Sequence, residues 1–589
     1  MRIQVVCLIY LMSLGINDLL GQIGASDKVD NLYQETEFVF MHHNTSLLFS
    51  GEYLYYSLHV LTSTTNMPST FSKIGYVELI GEDGKVVFRH KIKLDNGMGQ
   101  GEFFVPVTVP SGNYKLIGYT QWMRNFAISR IFQSDIGIIN PFQNNQEAIL
   151  AASNVSEECS LCDKRKAERE KISSDDKVFT LAVGKKVLKK RDQGNLIINA
   201  LGNSEFRGNF SLSIRKIDSL AQFLAPTSID YSKNYLKEKE VLENGDTEKY
   251  LPELRGELVS GKIIPKNPNF APKEEVVAFS IPGKNFILKL ARTNEMGEFY
   301  FSLNLDYSNE NGFVQVLGEH KDEYEIQVKE LPSVEHKNLN FNKFVVAPEM
   351  ENLILKRSVY NQVENAFTEI KPDSIRHSQQ TTPIYRSFPI SYDLDDYTRF
   401  STIRETAKEV LEHVWVSKNI EGEEVLEIRG KDGNAEIGFL PLVMLDGVLI
   451  QRHADIIDFD AKKIKRINIS RDECVVNSII YEGIIAMESI DGNSFQNIKK
   501  DYLNAFKLFT PLPRKKYFNQ KYNNNNREFS RQVPDFRQQL LWIPQLVLEG
   551  NKREIDFYTS DVPGSYEISL EGYTSTGTPV SLKEVVEVE

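Results

Sequence analysis

One short phrase occurs at two distant places in the chain and restricts the fold more than any other feature. Residues 109–120 read VPSGNYKLIGYT, and residues 562–574 read VPGSYEISLEGYT. Proline cannot donate a hydrogen bond to a central strand ladder, and Ser-Gly pairs are typical of turns. The phrase therefore predicts the end of one strand, a tight turn, and a long strand whose side chains point to alternate faces.

The tyrosine after each turn indicates how these strands are assembled. Tyr114 and Tyr566 open the two alternating runs, which is the position of the tyrosine corner in immunoglobulin-like β-sandwiches. A second pair of phrases, GEFFVPVTV at 101–109 and GEFYFSLNL at 297–305, also opens alternating strands. Sparse self-similarity of this kind favours repeated modules. We predict a mainly β protein of tandem immunoglobulin-like sandwiches with one small α+β domain.

Turn signals and changes of hydrophobic period divide the chain into segments. The expected divisions are a sandwich at 30–140, a linker at 141–176, sandwiches at 177–254 and 255–330, an irregular region at 331–394, an α+β domain at 395–500 and a C-terminal sandwich at 501–589.

The α+β domain is indicated by a helical period that begins after residue 400. The apolar residues expected on one helical face are Ile403, Ala407, Val410, Leu411 and Val414. Thr402 and Glu405 have the spacing of a capping box at the start of a helix. Asp446 and Gly447 predict a two-residue hairpin turn further along the domain.

Composition and the N terminus narrow the class of protein. The 589 residues are 41% hydrophobic and 25% charged, as in ordinary globular chains. The formal net charge of −12 argues against a general nucleic-acid binder, which needs a basic surface.

Arg2 precedes an apolar run at 5–14 that is too short to cross a bilayer. Residues 1–21 therefore read as a secretory signal peptide, and we expect an exported, outer-membrane-associated protein in the periplasm or at the cell surface.

The cysteines after this segment allow more than one interpretation. Cys159 and Cys162 form a CxxC pair in a charged segment, and Cys474 stands alone. A CxxC pair can belong to a zinc site or a redox site. Zinc would need two more ligands at suitable spacing, and a redox site would need a βαβ setting. We predict a structural disulfide between Cys159 and Cys162, or unpaired thiols.

Two groups of side chains could hold a metal ion. They are His453 with Asp455 and Asp458, and Asp393 with Asp395 and Asp396. Imidazole together with carboxylates suits zinc or iron, whereas clustered carboxylates suit calcium. Acidic residues are also common at helix N-termini and in solvated loops. We expect that neither group binds a metal.

The sequence contains none of the familiar catalytic signatures GxSxG, HExxH, the P-loop or GxGxxG. We therefore predict no enzymatic activity, no catalytic residues and no cofactor. The adjacent His42 and His43 are expected at the surface beside a strand. Trp122 and Trp542 could be exposed platforms for sugars, but packing within a sandwich is the expected role.

Two stretches resemble one family of exported proteins. Residues 50–61 (SGEYLYYSLHVL) and 76–126, which end in GYTQWMRNF, resemble the MG2-type macroglobulin domain of exported proteins from the Bacteroidota. Residues 534–577, which include PDFRQQLLWIPQL and the second copy of the repeated phrase, resemble their C-terminal sandwich. The resemblance implies macroglobulin-like sandwiches. The Gly-Cys-Gly-Glu-Gln thioester of covalent protease traps is absent, so covalent trapping is not expected.

The α+β segment resembles the plug domain of TonB-dependent outer-membrane receptors. The residues that match the plug pattern are Pro441, Asp446, Gly447, Val448, Ile464, Ile467, Tyr481 and Gly483. The usual Lys-Asp-Ala segment of plugs is replaced by SRDECVVNS at 470–478. A receptor barrel takes about 22 strands of ~10 residues, and the chain ends too soon after Asp501 to supply them. The resemblance therefore implies a plug-like domain that lacks its barrel.

Together these features predict a non-catalytic exported scaffold or accessory subunit of an outer-membrane assembly, acting by protein–protein contacts. Its expected partner is an outer-membrane β-barrel protein or envelope complex, with membrane contact only through that partner and no nucleic acid. The alternative is a polysaccharide- or peptide-binding module that supports a TonB-dependent uptake system. The sequences DSL and DSI, with Ser219 and Ser374, resemble the O-glycosylation acceptor of Bacteroidota and imply two candidate sites of sugar attachment.

Overall fold

The alternating patterns of the sequence fold as β-strands in the computed structural model. The structure describes residues 36–589 apart from 151–177, 202–205, 219, 221–222, 236–249, 284, 332–333, 335–338, 377–387, 432–438, 477–478, 495–500 and 523–532. The chain forms two compact units. The larger covers Gly24–Arg255, Ser333–His377 and Pro511–Glu589, and the smaller covers Gly256–Pro332 and Ser378–Thr510.

The first sandwich, in the larger unit, contains strands β1 to β8. Their bounds are β1 Glu37–His43, β2 Leu47–Phe49, β3 Tyr53–Thr62, β4 Ile74–Gly81, β5 Val86–Lys93, β6 Met98–Phe104, β7 Gly112–Tyr119 and β8 Phe132–Ile139. One sheet has the order β1-β3-β6 and the other β2-β8-β7-β4-β5. The Tyr114 hydroxyl donates to the Pro110 carbonyl at 2.7 Å, so the predicted tyrosine corner is present.

The next elements of the larger unit are β9 Phe179–Val183, β10 Val187–Leu188, β11 Gln193–Ala200, β12 Phe206–Lys216 and helix α1 Ser228–Tyr235. They do not close a sandwich by themselves.

Residues 256–330 of the smaller unit form strands of a second sandwich. These are β13 Glu257–Pro265, β14 Val276–Ile281, β15 Ile287–Arg292, β16 Glu298–Leu303, β17 Asn311–Leu317 and β18 Tyr324–Val328. The region predicted to be irregular, 331–394, instead contains helix α2 Glu351–Ala366 and strand β19 Ser374–Ile375. Both belong to the larger unit.

The α+β domain of the smaller unit has a mixed sheet of order β20-β25-β28-β23-β24. Its elements and the strand that follows are β20 Ile390–Asp393, α3 Ile403–Glu409, β21 Val414–Lys418, β22 Glu424–Ile428, β23 Leu442–Leu445, β24 Val448–Leu449, α4 Ala454–Ile457, β25 Ile464–Ser470, β26 Cys474–Val476, β27 Ile479–Tyr481, β28 Ile484–Ser489 and β29 Asn504–Lys507. Thr402 caps α3 by accepting a hydrogen bond from the Glu405 amide at 3.2 Å. The helix ends before Val414, which begins β21, so the predicted helix is shorter than the apolar pattern suggested.

The C-terminal strands complete a sandwich that begins far earlier in the chain. They are β30 Lys515–Lys516, β31 Gln539–Gly550, β32 Lys552–Tyr558, β33 Gly564–Thr574 and β34 Pro579–Val588. One sheet is β10-β34-β33-β12-β31 and the other is β32-β11-β9. The prediction of separate sandwiches at 177–254 and 501–589 is therefore wrong, because β11 and β12 find their sheet neighbours among β31, β32 and β33. We call this module the composite sandwich.

The boundary drawn at residue 501 also changes. Strand β29 extends the sheet β15-β14-β17-β29 of the smaller unit, and β30 pairs with β19 in the larger unit. Residues 504–516 are thus used outside the composite sandwich. In the part of the chain that the structure describes, no helix is both long and apolar enough to cross a membrane.

Candidate functional site

One face of the composite sandwich is polar although most of it is buried. Along β12, Leu212 points into the apolar core while Ser211 and Ser213 alternate with it. In the neighbouring β33, Ser569 lies opposite Ser213 and Glu571 opposite Ser211. The two-residue period of the strands therefore presents hydroxyl and carboxyl groups to the first sandwich instead of an apolar surface.

His42, on β1 of the first sandwich, joins this polar face. Its Nδ1 lies 2.7 Å from Ser211 Oγ and its Nε2 lies 3.2 Å from Ser569 Oγ. Burial, with a smaller contribution from neighbouring basic groups, lowers the pKa of His42 well below its ordinary value. The side chain is 8% exposed, so the expectation that His42 lies at the surface is wrong. It is a neutral residue that bonds two strands of the composite sandwich.

Two further histidines of the first sandwich are also buried. His43 donates from Nδ1 to the Thr45 carbonyl at 2.9 Å, and its Nε2 lies 2.8 Å from Ser134 Oγ. Burial lowers the pKa of His43 to about 4. His59 has a pKa of about 3 for the same reason, and within the described residues its Nε2 has no hydrogen-bond partner. The prediction of an exposed His42-His43 pair therefore fails at both positions.

A cluster of buried charges also joins residues of the first sandwich to residues beside the composite sandwich. Arg357, on α2, donates to both carboxylate oxygens of Glu52 at 2.9 and 2.6 Å and to the Leu47 carbonyl at 2.9 Å. It also donates to Asp218, just after β12. Burial alone would raise the pKa of Glu52, but the guanidinium of Arg357 outweighs it and lowers that pKa. We call these three charged residues and Arg215 the charge cluster.

Arg215 and Lys216 are held less completely than Arg357. The guanidinium of Arg215 lies 3.4 Å from Glu52 Oε2 and 3.5 Å from Gln539 Oε1, both at the long limit for a hydrogen bond. Burial is the main cause that lowers the pKa of Arg215. No hydrogen bond or ion pair to the Lys216 ammonium is present in the described part of the chain, and burial lowers its pKa.

A polar pocket opens beside these two cations. Its cavity volume is about 60 Å³. Its lining residues are Asn44, Thr45, Ser213, Arg215, Lys216, Ile217, Asp218, Glu567 and Ser569. The lining brings together amide and hydroxyl groups with two basic and two acidic residues.

The side chains of the first candidate metal group, His453, Asp455 and Asp458, do not converge on one point. His453 is buried, and its Nδ1 accepts a hydrogen bond from the Leu426 amide at 3.1 Å. Asp455 accepts from the Tyr502 hydroxyl at 3.0 Å, and Asp458 accepts from Arg404 at 2.9 Å. Each side chain thus has a separate protein partner. Among the residues described here, no group of three His, Cys, Asp or Glu side chains is placed to hold a metal.

The carboxylates of the second candidate group also have their own partners or face solvent. Asp393 accepts from Arg466 at 3.1 Å, and Asp395 accepts from Arg399 at 2.6 Å. Asp396 is exposed. These groups cap a short 3-10 helix and pair with arginines at the entry to the α+β domain.

The remaining candidate residues have mixed outcomes. Trp122 and Trp542 are 2% and 5% exposed, so both pack inside the protein and neither offers an exposed platform. Ser374 lies on β19 and is exposed. Cys159, Cys162 and Ser219 lie outside the residues that the structure describes, and the disulfide and the glycosylation of Ser219 stay predictions.

Sequence reasoning missed the charge cluster entirely. Glu52 and Arg357 are far apart in the chain, and Arg357 lies in the region predicted to be irregular. The strongest available signal was the run SLSIRK at 211–216, in which polar residues occupy alternate positions of a strand. That pattern predicts one polar face, but it does not reveal that another sandwich covers this face.

Comparisons with known proteins give matches among solved structures. No family model and no curated protein matches the chain. A Salmonella α2-macroglobulin reacted with methylamine matches at 8% identity and a TM-score of 0.22, covering 94% of this chain and 39% of that one. The native Escherichia coli α2-macroglobulin matches at 9% identity and a TM-score of 0.22, covering 94% and 40%.

A third structure, the Yersinia pseudotuberculosis adhesin InvE, matches at 9% identity and a TM-score of 0.12, covering 50% of this chain and 58% of the adhesin. The chain spans about two fifths of the macroglobulin structures it matches. At these identities and TM-scores the similarity assigns neither a family nor a function.

Proposed function

We propose that the protein is a non-catalytic, exported scaffold or accessory subunit of an outer-membrane assembly and that it works through protein–protein contacts. Its partner in this proposal is an outer-membrane β-barrel protein or another component of the cell envelope. The observation that carries the proposal is an apolar pair held outward on one hairpin of the α+β domain.

This hairpin consists of β26 and β27. Val475 pairs with Ile480 across the two strands, and their side chains are 61% and 40% exposed. At its base, Cys474 and Tyr481 pack against the apolar core that includes Leu442. The base fixes the hairpin while two branched apolar side chains face water. A partner that covers these two side chains removes apolar surface from water, which stabilises the complex.

The position of the hairpin supports the choice of partner. The chain departs from the plug pattern at 470–478, and this segment supplies strand β26. We infer that the departure provides a contact that a receptor plug does not need. The alternative, a glycan-binding module, loses support because the two tryptophans predicted as possible platforms are buried.

Co-purification from native membranes tests the proposal. A tagged full chain is crosslinked in gently solubilised envelopes and compared with a variant carrying Val475→Ser and Ile480→Ser. The matched control carries Leu355→Ser and Val359→Ser on α2, because this pair is 62% and 47% exposed. We expect mass spectrometry to find an outer-membrane protein with the wild type and the control, and to lose it with the hairpin variant.

The proposal fails if the wild-type chain is recovered without any envelope protein. It also fails if the hairpin variant retains the same outer-membrane protein at the wild-type level, because the apolar pair would then contribute nothing to the contact.

A further inference from the structure

One end of the first sandwich presents apolar side chains to water. The β6–β7 loop at 105–111 leads into β7, whose start pairs with the end of β8, so this loop and the segment after β8 lie at the same end. Phe104, Val107 and Phe142 are 42%, 56% and 52% exposed there. We call these three residues the apolar tip.

Most backbone carbonyls of the β6–β7 loop have hydrogen-bond donors inside the protein. The Asn140 side-chain amide donates to the Val107 and Val109 carbonyls at 2.8 and 2.6 Å. The Gln143 amide gives the Val107 carbonyl a second donor at 2.9 Å. The carbonyls bonded in this way are those of Val105, Pro106, Val107, Val109 and Pro110. A loop whose carbonyls are bonded internally can leave water without losing those hydrogen bonds.

The two segments that carry the tip contain no charged residue. Residues 103–114 read FFVPVTVPSGNY, and residues 136–146 read IGIINPFQNNQ. The β4–β5 turn, EDGK at 82–85, lies at the same end because the end of β4 pairs with the start of β7. This turn adds a small negative charge. The tip itself therefore attracts another surface by removing apolar area from water and not by opposite charge.

The size of the tip decides between a protein and a bilayer as the surface that covers it. An aromatic side chain buries about 150–250 Å², so the exposed parts of two phenylalanines and one valine amount to roughly 250 Å². A stable protein interface takes about 800 Å² from each partner. A bilayer needs no matching surface, and it accepts apolar side chains on a backbone that is hydrogen-bonded internally.

We propose that the apolar tip inserts into the surface of a lipid bilayer. The sequence predicted membrane contact only through a partner protein, and this inference adds a direct contact that is independent of the β26–β27 hairpin. So few side chains give a modest gain, and a stable membrane anchor takes two attachments. We therefore expect the tip to strengthen an attachment that another contact has already made.

Vesicle binding by the full chain tests this inference. A C-terminal hexahistidine tag supplies the first attachment, to phosphatidylcholine vesicles that contain a small fraction of nickel-chelating lipid. We expect the double variant Phe104→Ser and Phe142→Ser to bind these vesicles about tenfold more weakly than the wild type. The matched control carries Val187→Ser and Val547→Ser, because this pair on other strands of the larger unit is 51% and 54% exposed. The control should bind as the wild type does.

A second variant reports insertion without removing apolar surface. Phe142→Trp adds an indole to the tip, and lipids with brominated acyl chains should quench its fluorescence on the vesicles. The native Trp122 and Trp542 are buried, and the wild-type chain on the same vesicles corrects for the emission of all native tryptophans.

The inference is overturned if the double serine variant binds the vesicles as tightly as the wild type, or if brominated lipid leaves the added indole unquenched. It is also overturned if the serine substitutions change only the sedimentation of the free chain, because the tip would then contact a second copy. The vesicles contain no other protein, so the result is separate from that of the hairpin experiment.

Discussion

Arg357 shows how one side chain can connect separate parts of the larger unit. It extends from α2 to Glu52 and the Leu47 carbonyl of the first sandwich and to Asp218 beside the composite sandwich. Its side chain is 5% exposed. A buried ion pair adds little net stability compared with an apolar replacement of the whole group, but the loss of one partner leaves buried charges unmatched.

Replacing Arg357 by Met therefore tests the role of the charge cluster. The substitution leaves Glu52 and Asp218 with the weakly held Arg215, and we expect a loss of about 3–5 kcal/mol in the free energy of unfolding. Urea denaturation measures this loss. Lys552→Met, which removes one member of the exposed pair with Glu554, should cost less than about 1 kcal/mol. Equal effects of the two substitutions would contradict the assignment of the cluster as a structural connection.

The buried histidines predict a definite pH dependence. In the folded state the pKa values of His43 and His59 are about 4 and about 3, below their ordinary value of 6.5. The unfolded chain takes up protons below pH 6.5 while the folded chain does not. Stability is therefore fully present above that pH and falls as the pH decreases, down to about 4 for His43 and about 3 for His59.

Glu571 acts in the opposite direction, because burial raises its pKa to about 7. Its contribution is present at acid pH and is lost as the pH rises through about 7. Glu571 offsets the effect of only one of the two histidines on the free energy of unfolding. The free energy of unfolding should therefore still be larger at neutral pH than at acid pH.

The substitution His59→Phe isolates one of these groups. We expect the free energy of unfolding to depend less on pH between 6.5 and 4, by about 1.4 kcal/mol per pH unit. Stability at pH 7.5 should change little, because Nε2 of His59 has no hydrogen bond to lose within the described structure. Guanidinium unfolding at several pH values measures the slope, with the exposed His320→Phe as control. An unchanged slope would show that His59 is protonated in the folded protein.

At the scale of single elements, sequence signals predicted turns correctly where a turn requires a particular backbone conformation. Asp446 and Gly447 have φ values of 51° and 86°, as a two-residue hairpin turn requires, and β23 and β24 pair on either side. Helix α2 was missed because its apolar residues do not mark a core face. Leu355 and Val359 are exposed, while Arg357 and Ser358 are buried, so hydrophobic period carried no information about which face packs inward.

The hydrogen bond of each tyrosine corner can be tested by removing one hydroxyl group. The Tyr566 hydroxyl donates to the Val562 carbonyl at 2.8 Å, and its ring lies in the core of the composite sandwich. Tyr566→Phe keeps the ring and leaves this buried carbonyl without the hydrogen bond. We expect a loss of about 1–3 kcal/mol in the free energy of unfolding, measured by urea denaturation. Tyr114→Phe in the first sandwich should behave alike, and a neutral effect of both would show that these bonds are dispensable.

At the scale of the whole molecule, the sequence failed where the strand partners are distant. Residues 177–216 and 539–588 each have the alternation and turns of a sandwich, so each segment suggested a separate module. Partner choice depends on which edges the rest of the fold brings together, and neither period nor turn residues encode it. The charge cluster was beyond prediction for the same reason, because Glu52, Asp218 and Arg357 meet only after these modules have formed.

The composite sandwich also determines which surfaces remain for function. Its polar face is bonded to the first sandwich through His42, and the polar pocket opens where the two modules meet. The pocket therefore exists only if strands β12 and β33 belong to one module. The proposed hairpin contact lies in the smaller unit and does not depend on this pairing.

Hydrogen exchange on a chain that stops at residue 533 tests this central claim most directly, because that chain lacks strands β31 to β34 but keeps β9 to β12. The account predicts that amides of β11 and β12, which are protected in the full chain, exchange rapidly in the shortened one. Strands β13 to β18 of the smaller unit should keep their protection and serve as the internal control. Undiminished protection of β11 and β12 in the shortened chain would show that residues 178–216 fold as a sandwich of their own and would contradict the account.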